Sequence, residues 1–119
     1  VFGCGGDRDA KKRSIMGGIA GSYSDFVFIT SDNPRSEDPK AIIKDIEKGF
    51  SQNNNLNYKI EVDRELAINH AIHMASTNDI VLIAGKGHET YQILKDSTIH
   101  FDDKEKARQA IINKMNEFN

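Results

Sequence analysis

Three polar segments concentrate the residue types in this chain that are able to do chemistry: Gly5-Gly6-Asp7-Arg8-Asp9, Ser31-Asp32-Asn33-Pro34-Arg35 and Gly85-Lys86-Gly87-His88-Glu89. In the first, glycines permit positive φ and close approach of a ligand to the backbone. Arg8 offers a planar fork suited to a carboxylate or a phosphate. A tight turn with a surface salt bridge and a helix cap accounts for the same residues equally well. In the second, Pro34 fixes its own φ and pushes Asn33 toward an extended conformation. Asn33 supplies donors and an acceptor, Arg35 a cationic fork, and Asp32 a carboxylate for an ammonium group. Together they suit a ligand that is itself zwitterionic. A type I turn explains the Asp-Asn-Pro sequence but is silent about the arginine. In the third, Gly85 and Gly87 expose backbone groups, and Glu89 is able to hold an ammonium. His88 is a candidate for proton transfer, with a satisfied structural histidine as the blander alternative.

Other chemistry is disfavoured. The pattern G-x-x-x-x-G-K-[ST] is absent, so the third segment is not a phosphate loop, and it is not a dinucleotide fingerprint either. His70 and His73 lie three apart, with nothing nearby in sequence to complete a metal site. No cysteine-based catalytic motif surrounds Cys4, which reads as a small packed residue. Lys11, Lys12 and Arg13 read as a solvated helix face.

Each polar segment directly follows an apolar run, and those runs alternate with helical patterns. Val1–Cys4 reads as the end of a buried strand. Ile15, Met16, Ile19, Ala20 and Tyr23 recur at helical spacing and predict the inner face of a first helix, capped by Asp9. Its Gly17-Gly18 pair either weakens that helix or allows close packing. Phe26–Thr30 is a strand apolar enough to be covered on both faces. Asp38-Pro39 predicts an N-cap and first helical position, followed by an apolar face of Ile42, Ile43, Ile46 and Phe50. Tyr58–Val62 is a short strand, and Asp63 opens a helix facing inward through Ile68, Ala71, Ile72 and Ala75. Ile80–Ala84 reads as the clearest buried strand. Tyr91–Leu94 and Thr98–Phe101 form a hairpin, and Asp102 or Asp103 caps a last helix carrying Ala107, Ile111, Met115 and Phe118. The expected fold is therefore one α/β domain with a mainly parallel sheet, helices on both faces and an antiparallel edge hairpin. In such sheets ligands bind beyond the carboxyl ends of the strands, where all three polar segments fall.

Composition sets wider bounds. With 119 residues, 38% apolar and 29% charged, the chain has room for one core. A net charge of -2 creates no global field for nucleic acid or an anionic membrane. No run of about 18 apolar residues predicts a membrane span. One cysteine excludes an internal disulfide and suits a cytoplasmic location. The opening Val1-Phe2-Gly3-Cys4-Gly5-Gly6 is no signal peptide; it reads as a fragment cut at a domain boundary.

The stretches GCGGDRDAKKR, TSDNPRSEDP and VLIAGKGHETYQ, in this order, resemble the C-terminal domain of the Mur ligase family, in its tripeptide-synthetase (MurE) branch. The likeness runs over almost the whole of residues 1–119, and the three motifs together are far more specific than any one. It implies one Rossmann-like domain of an ATP-dependent amide ligase whose central ATP- and Mg2+-binding domain and N-terminal UDP-binding domain are absent from this sequence. The implied substrates are meso-diaminopimelate and UDP-MurNAc-L-Ala-D-Glu, joined through an acyl phosphate. The D-N-P-R signature for meso-diaminopimelate stands as Asp32-Asn33-Pro34-Arg35. By the same match, Arg35 pairs with the second carboxylate that lysine lacks, and Arg8 meets the ligand's carboxylate end. The Gly85 carbonyl and Glu89 hold the distal ammonium. Ser31 is a small departure, standing where some relatives have an acidic residue. No residue of the fragment is implied to be catalytic, with His88 at most accessory, and the fragment alone is expected to be inactive. The competing readings are a lysine-adding ligase domain and a non-catalytic amino-acid-binding module.

Overall fold

The computed structural model describes residues 1–117; Phe118, expected on the last helix, lies outside them. Four helices and four short strands follow one another in the order α1 (Lys11–Tyr23), β1 (Val27–Ile29), α2 (Pro39–Gln52), β2 (Tyr58–Ile60), α3 (Arg64–Met74), β3 (Tyr91–Ile93), β4 (Thr98–His100) and α4 (Asp103–Asn116). β1 and β2 pair in parallel. Phe2 continues the sheet on the other side of β1, through Phe2 N–H to Phe28 O at 3.1 Å and Thr30 N–H to Phe2 O at 2.9 Å. The segment after α3 then runs beside Val1, whose ammonium donates to Leu82 O at 2.8 Å while Ala84 N–H donates to Val1 O at 2.9 Å. Taken in chain order, the four extended segments lie side by side as third, second, first, fourth. The order reverses between Val1–Phe2 and Leu82–Ala84, the kind of switch point at which open α/β sheets bind ligands.

Strand alternation divides the core. Val27 and Ile29 face Ile42, Ile43, Ile46 and Phe50 of α2, while Phe28 faces Ala67 and Ala71 of α3. Ile68, Ile72, Phe101 and Ala110 close the second side. Helices thus cover both faces of the parallel sheet. The caps are as expected: Asp38, Asp63 and Asp102 each accept a first-turn N–H of α2, α3 and α4. Asp9 accepts the Lys11 N–H at 3.0 Å from just outside the α1 cap position. The antiparallel hairpin β3–β4 forms its own ladder. It docks on the loop after β1, where Arg35 N–H donates to Ile93 O at 3.1 Å.

Two expectations are corrected. α1 turns its glycines and Ala20 inward and its large apolar residues out. A Cβ on Gly17 would lie 2.2 Å from Ile46 O, and one on Gly49 2.2 Å from Ser14 O. α1 and α2 therefore meet backbone to backbone, a separation only glycine allows. Arg13 joins that buried face, while Ile15, Met16 and Ile19 are exposed and Tyr23 is 89% exposed. The second correction concerns Ile80–Ala84. It is extended but no regular strand, because only Val1 pairs with it, and it is covered on one face only. Val81 and Ile83 pack inward against the core beside α3 and α4, whereas Ile80 is 93% and Leu82 71% exposed.

Candidate functional site

The loops after Phe2, β1 and Ala84 converge at the carboxyl end of the sheet. The first two are laced together by backbone. Gly6 N–H donates to Asn33 O at 2.8 Å, Arg35 Nη1 donates to Gly6 O at 2.9 Å, and a Cβ on Gly6 would lie 1.8 Å from Pro34 O. Asp7 and Arg35 both adopt left-handed backbone, with φ of 55° and 52°, at a cost on the order of 1 kcal/mol each. Local bonds hold these conformations. The Asp7 carboxylate accepts the Ser36 hydroxyl at 2.6 Å, which lowers its pKa, and Asp7 N–H donates to Glu37 Oε1 at 2.8 Å. Behind Glu37 sits Arg13, expected on a solvated face but 3% exposed. It pairs with Glu37 at 2.9 Å and Asp45 at 3.1 Å and also donates to Gly5 O. That guanidinium holds the Glu37 carboxyl below its usual range. Arg13 is thus a bracket between α1, α2 and the first two loops.

Asn33 joins the second loop to the third and to the hairpin. Its Oδ1 accepts from Lys86 Nζ at 3.1 Å and from Ile93 N–H at 2.9 Å; its Nδ2 donates to Glu89 Oε1 at 3.2 Å. Gln92 Nε2 donates to Asp32 O at 2.7 Å. Gly85 has φ of 109°, and a Cβ there would lie 2.9 Å from Asp32 Oδ2, so only glycine brings the backbone this close to that carboxylate. Beneath the site, Arg64 forms a two-pronged pair with Asp103, both bonds at 2.8 Å. It also donates to Ser31 O at 3.0 Å and Ala84 O at 3.2 Å, fixing the ends of the two extended segments on either side of Val1–Phe2 to the starts of α3 and α4.

The sequence-predicted residues divide as follows. Asp32, Asn33, Gly85 and Glu89 surround one another, and Pro34 is buried where the first two loops touch. Arg8 and Arg35 flank Gly5: Arg8 Cγ and Arg35 Nη1 lie 3.6 and 2.8 Å from the Cβ position there. Arg8 is exposed, donating only to Asp7 O among the described residues. Arg35 donates through Nη1 alone, leaving Nη2 and Nε without a partner among those residues. The converging loops therefore carry cationic side chains at Gly5 and carboxylates at Asp32 and Glu89. His88 is exposed beyond the network. Sequence reasoning missed Lys86, Arg64, Arg13 and Gln92. Lys86 lies inside the third polar segment, but nothing local in the sequence marks it as buried; the others bond across distances in sequence that leave no local signal. Among the described residues, no group of three His, Cys, Asp or Glu side chains is placed to hold a metal ion. Cys4 is half-buried, its thiol pushed up to about 11 by burial, with Met16 Sδ 3.7 Å away.

Burial also pushes the Asp32 carboxyl above its ordinary value, against the partial relief given by Arg64 and Lys86. An acid whose folded pKa is raised costs stability above that pKa, and the cost vanishes below its unfolded value. Asp32→Asn is therefore expected to raise the Tm of the chain at pH 7, with the gain fading as pH falls below the carboxylate range. Thermal unfolding across pH checks this. A lower Tm for the variant at pH 7 would show instead that the charge is stabilising.

A parallel sheet with this strand order, helices on both faces and three polar loops at its switch point defines a Rossmann-like α/β domain. The chain belongs to the Mur ligase family: residues 1–87 match the family described as Mur ligase, glutamate ligase domain. Among its relatives is the UDP-N-acetylmuramoyl-L-alanyl-D-glutamate–2,6-diaminopimelate ligase of Prochlorococcus marinus (strain NATL1A), 59% identical over 93% of this chain and 21% of the relative. The protein of the same name from Syntrophomonas wolfei is 56% identical over 97% of this chain and 24% of the relative. A solved structure of a ligase of that name superposes with a TM-score of 0.87 at 43% identity, over 96% of this chain and 23% of the other. The chain thus spans less than a quarter of the length of these relatives. No helix among the described residues is long and apolar enough to cross a membrane.

Proposed function

We propose that residues 1–119 form the C-terminal, amino-acid-binding domain of a cytoplasmic ATP-dependent ligase that joins meso-diaminopimelate to UDP-MurNAc-L-Ala-D-Glu in cell-wall peptide synthesis. The observation that carries the reading is the polarity of the converging loops, cationic at Arg8 and Arg35 and anionic at Asp32 and Glu89. meso-Diaminopimelate has a carboxylate and an ammonium at each end, and such an arrangement of charges is able to grip one end by both. Arg35 pairs with the carboxylate that L-lysine lacks. Arg8 meets the carboxylate end of the ligand, while the Gly85 carbonyl and Glu89 take the distal ammonium, with Asp32 close by. Asn33 and Pro34 shape the loop that carries Arg35. The names of the relatives support the same substrate.

Catalysis needs more than this chain. The phosphate-loop pattern does not occur in this sequence, and the family resemblance assigns ATP and Mg2+ to the central domain of the longer protein. ATP bound there supplies the phosphoryl group that activates the D-glutamate side-chain carboxylate. This domain's part is to hold the amino acid so that its free amine reaches the activated carbonyl, converting a bimolecular encounter into an oriented one. His88 is at most an accessory group at the rim.

Phosphate release by the full-length protein tests the reading. It is expected to require both UDP-MurNAc-L-Ala-D-Glu and meso-diaminopimelate, with L-lysine a poor substitute. The 119-residue chain alone should turn over no ATP. ATP hydrolysis by the chain alone, abolished by a point change within it, would contradict the division of labour. Equal use of L-lysine would favour the lysine-adding alternative, and binding without turnover in the full-length protein would favour a non-catalytic module.

A further inference from the structure

Lys86 is the one lysine of the site that solvent does not reach, at 2% exposure. A buried ammonium is costly unless every donor is used. Here Nζ donates to Asn33 Oδ1 at 3.1 Å, to the Tyr91 carbonyl and to Glu89 Oε1 at 3.5 Å, and it lies 5.7 Å from the centre of the Tyr91 ring. This environment makes the Asn33 amide asymmetric. Two donors, Lys86 Nζ and Ile93 N–H, converge on the same side-chain atom. Only the amide oxygen is able to receive them, so the NH2 group must turn to the opposite side, toward Glu89. The reversed amide would set its own donors against an ammonium and a backbone N–H, and turn its oxygen on the Glu89 carboxylate.

We propose that Lys86 is a positioning residue for amino-acid recognition: its buried ammonium locks the Asn33 amide with Nδ2 on Glu89 and so holds Glu89 in place to receive the substrate's ammonium. The inference deepens the proposed function and rests on it for the identity of the amino acid. Lys86 does not touch the reacting atoms. Its removal is felt in substrate affinity more than in the chemical step, because a supporting group acts by holding the binding group's geometry.

The test is steady-state kinetics of the full-length enzyme carrying Lys86→Met, which keeps volume without charge, and Lys86→Ala, which leaves space for an added amine. For Lys86→Met the KM for meso-diaminopimelate is expected to rise about 30-fold or more, as loss of a charged hydrogen-bond donor at a buried site implies. The kcat at saturation should stay within about threefold, and the KM values for ATP and the UDP-linked substrate should not change. With Lys86→Ala, added propylammonium supplies the missing atoms and should lower the raised KM by about tenfold, whereas 1-propanol at equal concentration should not. Equal rescue by both would show that Lys86 only fills space, and an unchanged KM in Lys86→Met, or an equal rise in all three KM values, would overturn the proposal. Should Lys86→Ala fail to fold, the split among the three KM values of Lys86→Met decides alone. The KM is read on whichever amino acid the wild-type enzyme uses, so a different preferred amino acid would overturn the proposed substrate without deciding the role of Lys86.

Discussion

Arg35→Ala in the full-length ligase is expected to lower kcat/KM for meso-diaminopimelate by about 10²-fold or more, corresponding to roughly 3 kcal/mol. The guanidinium spends one nitrogen on Gly6 O and keeps Nη2 and Nε without partners among the described residues. Those two are the atoms proposed to meet the ligand's second carboxylate, and losing them leaves that carboxylate unpaired in a closed, partly dehydrated site. L-Lysine has no such group, so its smaller activity should fall much less and is expected to rise relative to meso-diaminopimelate. Arg35→Lys should recover only part of the loss, because an ammonium cannot reproduce a forked contact. The bond to Gly6 supplies the control. If Arg35→Ala lowers both specificity constants equally, the arginine supports the first loop and does not read the substrate.

Arg64→Ala is expected to destabilise the chain by about 3–5 kcal/mol, the usual result of removing one partner from a buried ion pair. The side chain is 2% exposed and bonds Asp103 by two prongs together with the Ser31 and Ala84 carbonyls. Its loss strands a carboxylate that is itself buried and frees the ends of two segments that carry the site. Asp103→Ala should be comparably harmful. The double variant Arg64→Met with Asp103→Leu should recover a substantial part of the loss, since no charge is then left unpaired. Urea unfolding measures all three. A loss below about 1 kcal/mol for Arg64→Ala would mean that water replaces the guanidinium without penalty.

What could be read from sequence was what is written locally. Ile42, Ile43, Ile46 and Phe50 marked one face of α2 at helical spacing and are its buried residues. Asp38-Pro39, Asp63 and Asp102 marked helix starts through short-range capping chemistry. The Lys95-Asp96-Ser97 break marked the hairpin. Each polar segment followed an apolar run, and that is enough to place all three at one end of a parallel sheet. What was lost depends on partners far away in sequence. The period of α1 identified two faces but not which one is buried, because the decision rests on a glycine-to-backbone fit with α2. An apolar run such as Ile80–Ala84 looks covered on both faces whether or not a neighbour lies on each side; here Leu82 and Ile80 face solvent. Arg13 reads from sequence as part of a solvated helix face, and nothing local in the sequence marks Lys86 or Arg64 as buried. Each is buried by partners that only the fold brings near.

The central claim, that these three loops grip one end of meso-diaminopimelate, is tested most directly by a crystal structure of the full-length protein with that amino acid bound. A ligand carboxylate is predicted within about 3 Å of Arg35 nitrogens, the ordinary length of a charged hydrogen bond. The ammonium on the same end should lie between Glu89 and the Gly85 carbonyl, with Asn33 still bonded to Glu89. An amino acid seated elsewhere, or seated here with Arg35 turned away and Glu89 unengaged, would contradict the account.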